Sequence, residues 1–422
     1  MDISQTQLIN VNDLCIGHYV FLDLGWMQHP FPLNHFKIQS QAQIDTICGL
    51  GLTEVRYAPM QSDSHNNNNA SSVTEYSDTS VAASTLSPQE QQHKLFLQMQ
   101  RAQLLESDRR FNAALSIYQH ITDNVGKDAQ ASLENAQCLI SSLVTDFLQH
   151  DDIAIRLLSE NQGEKSLLHS LNVTILAMLL AKQSDLSMPQ IEEIGIAALL
   201  HDIGKTLLPY RVRMFDTQFT PAERHLYESH VTLGVTLAKK MGCNTHIQLM
   251  IAQHHEHADG SGYPSHLFDK DIPLSSQIVN LVNAYDSLCN PPNPSAAITP
   301  HEAISLIFAK MRNQFNPNTI SRFVRMMGVY PPGSTVQLSD DRIAIVISIN
   351  SLRPLKPNII VYDAHTAVDK ALIIDLADHP QLSIQRSIRP IQLPKAVFDY
   401  LSPRKRACYF FERGHRITSE AV

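Results

Sequence analysis

Histidine is unevenly placed along this chain of 422 residues, which holds 20 of them. His169, His201, His230 and the pair His254-His255 recur at intervals that let successive antiparallel helices return to one point in a bundle core. His201 is followed directly by Asp202 at the end of an aliphatic run, in IAALLHDIGK (Ile196–Lys205). An ionised carboxylate delivered there must be paired or metal-bound. Its two oxygens can bridge two cations about 3.5–4 Å apart, and each imidazole takes one. Lys205 follows His201 by one helical turn and falls on the same face as both, where it offers a cation to a phosphoryl oxygen. Gly204 leaves the backbone open to close approach. The competing reading is a helix end with a glycine and a dipole-complementing lysine. It accounts for Gly204-Lys205 but not for a His-Asp pair after aliphatics.

The third block is IAQHHEHADGSGYP (Ile251–Pro264). Two successive histidines close an amphipathic helix bearing Ile247, Met250 and Ile251. They supply one ligand to each of two metals, or one ligand and one substrate contact. The glycines that follow let backbone N–H groups turn toward an anion. For Glu256 and Asp259 a structural role is favoured over ligation. His169 shares a helix face with Asn172 and Val173, and His230 has Gly234 one turn on, where a neighbouring helix can pack closely. His225 points elsewhere and reads as surface.

These residues need helices to carry them. Residues 161–328 are read as mostly helical and as the catalytic domain, preceded over 95–160 by connecting helices with two apolar stripes: Leu104, Phe111, Leu115, Tyr118 and Ile121, then Ala129, Leu133, Ala136, Ile140, Leu143 and Phe147. Core packing is the first reading of these stripes, and a dimerising or signal-carrying pair the second. Residues 1–60 form a small module with strands at HYVFLDL (His18–Leu24) and TEVRYAP (Thr53–Pro59), Trp26 being a core or edge aromatic. Residues 61–94, rich in Ser and Asn, read as a flexible linker. Residues 329–422 form a β-rich extension, with strands expected at Ile343–Ile349, Asn358–Asp363 and Ala371–Leu376. Its basic tail reads as solvated surface.

Composition narrows the function. A net charge of −8, from 33 basic and 41 acidic residues, argues against a nucleic-acid scaffold, whose affinity comes mainly from neutralised phosphates. Six scattered cysteines without a short-spaced framework, and a start lacking a signal-peptide pattern, predict a reduced cytoplasmic chain. The longest apolar stretch, Leu167–Ala181, is shorter than the roughly 20 residues a spanning helix needs, so no membrane span is expected.

HDIGK followed by HHE and DGSGYP resembles the HD-GYP family, a branch of the HD-domain metal-dependent phosphohydrolases that degrades the bacterial second messenger cyclic di-GMP. The likeness covers about 161–330. The first 60 residues also resemble a module of uncharacterised function that often precedes HD-GYP domains. The resemblance implies a mainly α fold: an HD-type helical bundle with small β-rich modules at its N- and C-terminal sides. It implies that His169, His201, Asp202, His230, His254 and His255 hold two divalent metal ions, iron or manganese. Asp202 and Lys205 are then the catalytic residues, with Lys205 on the phosphate, and Gly262, Tyr263 and Pro264 form a substrate-contacting loop at the mouth.

Three departures from the family pattern stand out. The glutamate that supports a third metal in some members is Lys165 here, with Glu164 one step off, so two metals are expected. The closing aspartate of the metal set falls on Asn283, whose amide oxygen can ligate without adding charge, with Asp286 one turn on as a compensating carboxylate. Where members commonly carry a nucleotide-contacting arginine, Cys289–Pro300 holds no basic residue. The implied activity is hydrolysis of cyclic di-GMP to linear dinucleotide or GMP. The alternatives are a catalytically weak or inactive nucleotide- and metal-binding signalling module, and a hydrolase of another phosphate ester or a mixed cyclic dinucleotide. Diguanylate-cyclase-type proteins at the GYP loop and a second copy of the chain are the implied protein partners.

Overall fold

The computed structural model describes residues 6–22, 35–38, 40–48, 50, 52–59, 88–148, 153–157, 165–350, 353, 355–366, 371, 373–401 and 409–413. Trp26, the Asn-rich run, Glu164, the Lys165 side chain, Cys408 and most of the basic tail fall outside them. The chain divides into two compact units, Met1–Ser84 and Thr85–Val422.

The first unit is an antiparallel sheet of β1 (Gln7–Asn10), β2 (Tyr19–Phe21), β3 (His35–Lys37) and β4 (Glu54–Tyr57), in the order β1-β4-β2-β3, with α1 (Gln41–Cys48). Val20, Ile38, Ile44, Ile47 and Val55 close its core. The two expected strands are β2 and β4.

In the second unit α2 (Pro88–Asn124) and α3 (Ala129–Leu148) come first. The first turns of α2 fall inside the segment read as linker, because PQEQQ combines a proline suited to a helix start with good helix formers. Phe111, Tyr118, Ile121, Ala129, Leu133, Ala136, Ile140 and Leu143 are buried in the same core as the helices that follow. Tyr118 donates its hydroxyl hydrogen to Ser170 Oγ at 3.0 Å. These stripes are therefore covered from within the chain.

The helical expectation for 95–160 ends at Leu148. Ile153–Leu157 is instead a strand, β5. Five residues are too few for periodicity to separate strand from helix, and its partners lie far along the chain.

The bundle continues with α4 (Lys165–Lys182), α5 (Met188–Leu200), α6 (Pro221–Glu228), α7 (His230–Met241), α8 (Thr245–Gln253), α9 (Leu274–Cys289), α10 (Pro300–Ala309) and α11 (Pro317–Met327). Helix α4 is buried on nearly every face from Leu167 to Ala181. Its apolar stretch is that of a central helix. Before α5, Ser187 donates both its N–H and its hydroxyl hydrogen to Gln190 Oε1, and Pro189 fits the first turn. Helix α7 stops at Gly242 in a left-handed conformation, φ 89°, which costs glycine little.

The C-terminal part adds β6 (Thr335–Leu338), β7 (Ile343–Asn350), β8 (Asn358–Val361), β9 (Ile373–Asp375), β10 (Ile384–Ser387), α12 (Lys395–Leu401) and β11 (Tyr409–Arg413). The sheet runs β10-β6-β7-β5-β11, with β8 on β7 and β9 on β8. So β5, which precedes the bundle, lies between two C-terminal strands, and the sheet shares its core with the helices.

Candidate metal centre

Helix α5 ends at Leu200, and His201 is its C-cap with helical dihedrals of −54° and −38°. Asp202 leaves the helix at φ −98°, ψ 6°, and Ile203–Leu207 winds on as a 3-10 turn. This corrects the expectation that Lys205 shares an α-helical face with both His201 and Asp202. Three residues per turn eclipse i and i+3, so Lys205 stands over Asp202, with Nζ 2.6 Å from Oδ2.

His230 opens α7, which packs on the 3-10 turn. A methyl at Gly204 would run into the His230 carbonyl and the Gly234 nitrogen, so glycine is needed for this approach. His254 caps α8 and His255 follows it. On the opposite side, α9 presents Asn280, Asn283 and Asp286 at three-residue steps, all buried.

Asp202 is the centre of the arrangement. Its Oδ2 faces His201 Nε2 at 3.4 Å and His169 Nε2 at 3.8 Å. Its Oδ1 faces His230 Nε2 at 3.4 Å and His254 Nε2 at 3.8 Å. Two donor groups result: Asp202 with His169 and His201, and Asp202 with His230, His254 and His255, the atoms of each lying within 4.8 Å of one another. The double histidine is thus not shared between the two groups.

The orientation of four of the five imidazoles is fixed from behind. His201 Nδ1–H donates to Ala198 O at 2.7 Å, His230 Nδ1–H to Tyr227 O at 2.6 Å and His254 Nδ1–H to Ile251 O at 2.7 Å. His169 Nδ1 lies 2.7 Å from Asp286 Oδ2. The Nε2 of His201, His230 and His254 therefore points inward as a lone pair, the arrangement that prepares a histidine for a cation. His201 Nε2 and His169 Nε2 are 3.3 Å apart, as are His230 Nε2 and His254 Nε2. Asp202 Oδ1 and His255 Nε2 are buried without a hydrogen-bond partner. Facing lone pairs beside an orphaned carboxylate oxygen are repulsive by themselves and complementary to divalent cations. The donor set fits a metal centre.

The electrostatics agree. Burial, with Lys205 adding to it, pushes His230 down to about 4. Burial and the neighbouring imidazoles hold His254 and His255 well below the usual range. These three rings are neutral near pH 7, the form that ligates. Burial alone would raise the Asp202 carboxyl, but the Lys205 ammonium beside it outweighs that and holds it well below its ordinary value. Burial alone would lower His169, but its bond to Asp286 outweighs that and raises it.

Asn283 Oδ1 lies 3.0 Å from His169 Nε2, and its Nδ2 donates to His254 O at 3.4 Å, so this amide sits against the first donor group. Asp286 stands behind His169, holding the ring. In the GYP loop, Tyr263 stacks on His255 with centroids 4.6 Å apart and planes at 19°. Pro264, joined to it by a cis peptide bond, is exposed. Gly262 is buried, where a methyl would strike the His255–His257 backbone. Its packing leaves no room for a side chain there.

Glu256 accepts the N–H of Ser265 at 2.6 Å and of Leu267 at 2.9 Å. It clamps the loop, as a structural role requires. Asp259 is exposed and accepts from Ser261 N and Oγ in a local turn. Sequence reasoning missed Asn280, whose Nδ2 donates to Glu256 O, and Tyr227, whose ring lies 5.1 Å below Lys205 Nζ. The three-residue steps of Asn280, Asn283 and Asp286 in an apolar run were the available signal for the first. Nothing local marks Tyr227.

A helical bundle that gathers histidines around a His-Asp step defines an HD-type metal domain, and residues 152–319 match the family model of the HD domain. With the HHE and GYP blocks in place, this HD domain is of the HD-GYP type. Residues 6–136 match a domain of unknown function, DUF3391, and 335–396 a KOW domain associated with HD domain. A cyclic di-GMP phosphodiesterase of Pseudomonas aeruginosa is 28% identical over 232 residues, 54% of this chain and 55% of that protein. A cyclic di-GMP phosphodiesterase response regulator of Xanthomonas campestris is 32% identical over 152 residues, 35% of this chain and 40% of that protein. The chain thus spans about half the length of the curated relatives it matches. An HDG"Y"P protein from Bdellovibrio bacteriovorus superposes with a TM-score of 0.35 at 16% identity, covering 75% of this chain and 98% of that one. Among the described residues no helix is long and apolar enough to cross a membrane.

Proposed function

We propose that this chain is a metal-dependent phosphodiesterase that hydrolyses cyclic di-GMP to linear dinucleotide and GMP. One observation carries the reading: the two oxygens of Asp202 each face a pair of inward-turned imidazole nitrogens. His169, His201, Asp202 and Asn283 would hold one divalent ion, and Asp202, His230, His254 and His255 the other. Iron or manganese suits this nitrogen-and-oxygen donor set. Bound there, the ions polarise a phosphoryl oxygen and lower the pKa of a water.

The chain's own residues do the rest. Lys205, held protonated by Asp202 against the effect of burial, turns its ammonium to a non-bridging phosphate oxygen as charge develops there. The Tyr227 ring faces that ammonium from below. Tyr263 and Pro264 wall the mouth, and Glu256 keeps that wall in register. The proposed setting is the bacterial cytoplasm, with a cyclase-type signalling protein docking at the GYP loop and pairing of two copies as further expectations.

Full-length chain loaded with iron or manganese and given cyclic di-GMP should release linear dinucleotide or GMP. Loaded protein that leaves it intact would reject the reading. A second reading, a module that binds nucleotide and signals without turning it over, is favoured by an uncharged Asn283. Tight binding without turnover would support it, and turnover lost in His201→Ala would end it.

A further inference from the structure

The C-terminal strand reaches the metal centre through one asparagine. Tyr409, which opens β11, donates its backbone N–H to Asn172 Oδ1 at 3.1 Å, across a sequence separation of 237 residues. Asn172 Nδ2 donates in turn to Asp286 Oδ1 at 2.9 Å. The other oxygen of Asp286 holds His169 Nδ1 at 2.7 Å, and the far nitrogen of that ring faces Asp202. Asn172, Tyr409 and Asp286 are all fully buried.

A second tie runs beside the first. Strand β11 pairs with β5, Tyr409 opposite Leu157, and β5 precedes the helix that bears His169. The Tyr409 hydroxyl also lies 3.0 Å from that of Tyr285, next to Asp286.

The chemistry of position 172 is restrictive. It must accept from a main-chain N–H and donate to a carboxylate at once, which an amide does with one group. A carboxylate there would repel Asp286, and an aliphatic side chain would break both hydrogen bonds, leaving Asp286 Oδ1 to Asn290 Nδ2 at 2.8 Å and uncoupling it from β11. We infer that Asn172 is a positioning residue for the metal centre and that Tyr409–Arg413 is the brace it works against, so the C-terminal sheet is a working part of the site. The inference rests on the metal-centre reading above. It makes the His169–His201 group the one that depends on the brace, while His230 and His254, on the other oxygen of Asp202, are held by local backbone carbonyls.

The test is titration of metal-free full-length chain with cobalt(II), followed by absorbance, in wild type, Asn172→Ala and Tyr409→Phe. Asn172→Ala should weaken one of two binding steps by about tenfold or more, the range of lost ligand-orienting partners, and leave the other in place. Tyr409→Phe keeps the main-chain N–H and loses only the hydroxyl contact with Tyr285, so it should weaken the affected step less than Asn172→Ala does. Both steps unchanged in Asn172→Ala would overturn the inference, as would equal weakening of both with a lower melting temperature of the metal-free variant.

Hydrogen exchange on wild type covers the case in which Asn172→Ala does not fold. By reciprocity of coupling, metal should slow the amides of Tyr409–Arg413 more than those of Asn358–Val361, and equal slowing would overturn the brace. Wild type that binds no cobalt would instead reject the metal centre itself.

Discussion

Lys205 sets its Nζ 2.6 Å from the Oδ2 of Asp202 that also faces His169 and His201. The ammonium and a cation on that side compete for one oxygen. Lys205→Met should therefore bind metal at least as tightly as wild type, while turnover falls by about 10²–10³, the usual loss for one charge-stabilising donor. Elemental analysis beside product release separates the two effects. Loss of metal in this variant would make Lys205 part of the binding set.

Asp202→Ala should lose both ions, because among the described residues no other carboxylate is shared between the two histidine groups. Unchanged metal stoichiometry would reject the bridging role.

Asn283 carries its Oδ1 3.0 Å from His169 Nε2. Asn283→Asp adds a charge at that point and should raise metal affinity, by about tenfold if it gains about 1.4 kcal/mol. Calorimetric titration reads this directly. Unaltered affinity would place position 283 outside the coordination shell.

Acid should loosen the metal-free chain. His230 titrates at about 4 when folded against 6.5 as a free side chain, because burial disfavours its charge. The unfolded chain takes up that proton first, so this contribution is complete above 6.5 and is lost as pH falls toward 4. It is on the order of 3 kcal/mol. His254 and His255 act in the same direction. His169, raised by Asp286, acts oppositely, its contribution being present at low pH and lost as pH rises. Three rings outweigh one, so melting temperatures should drop across that window. A level profile would contradict the burial argument.

Gly204→Ala drives a methyl into the backbone of α7 at His230 and Gly234. It should cost about 1–3 kcal/mol and displace His230. Gly126→Ala, with nothing within 4 Å of the added carbon, is the matched control and should be near neutral. Urea unfolding of the two variants compares them.

The residue types and their order in the chain already determined much of this protein. Histidines spaced one helix out and back, an aspartate ending an aliphatic run, and glycines at 204, 234 and 262 follow from what buried charge and close helix contact demand, and those demands are written locally. The apolar stretch of α4 was legible for the same reason. What only tertiary structure decided are relations between distant segments: that Asp202 divides the histidines into two groups, that both His254 and His255 fall in one of them, and that Asp286 stands behind His169. Strand β5 and the brace from Tyr409 through Asn172 belong to the same class. A five-residue run takes its conformation from the strands that flank it, and a hydrogen bond spanning 237 residues leaves no periodicity in the sequence.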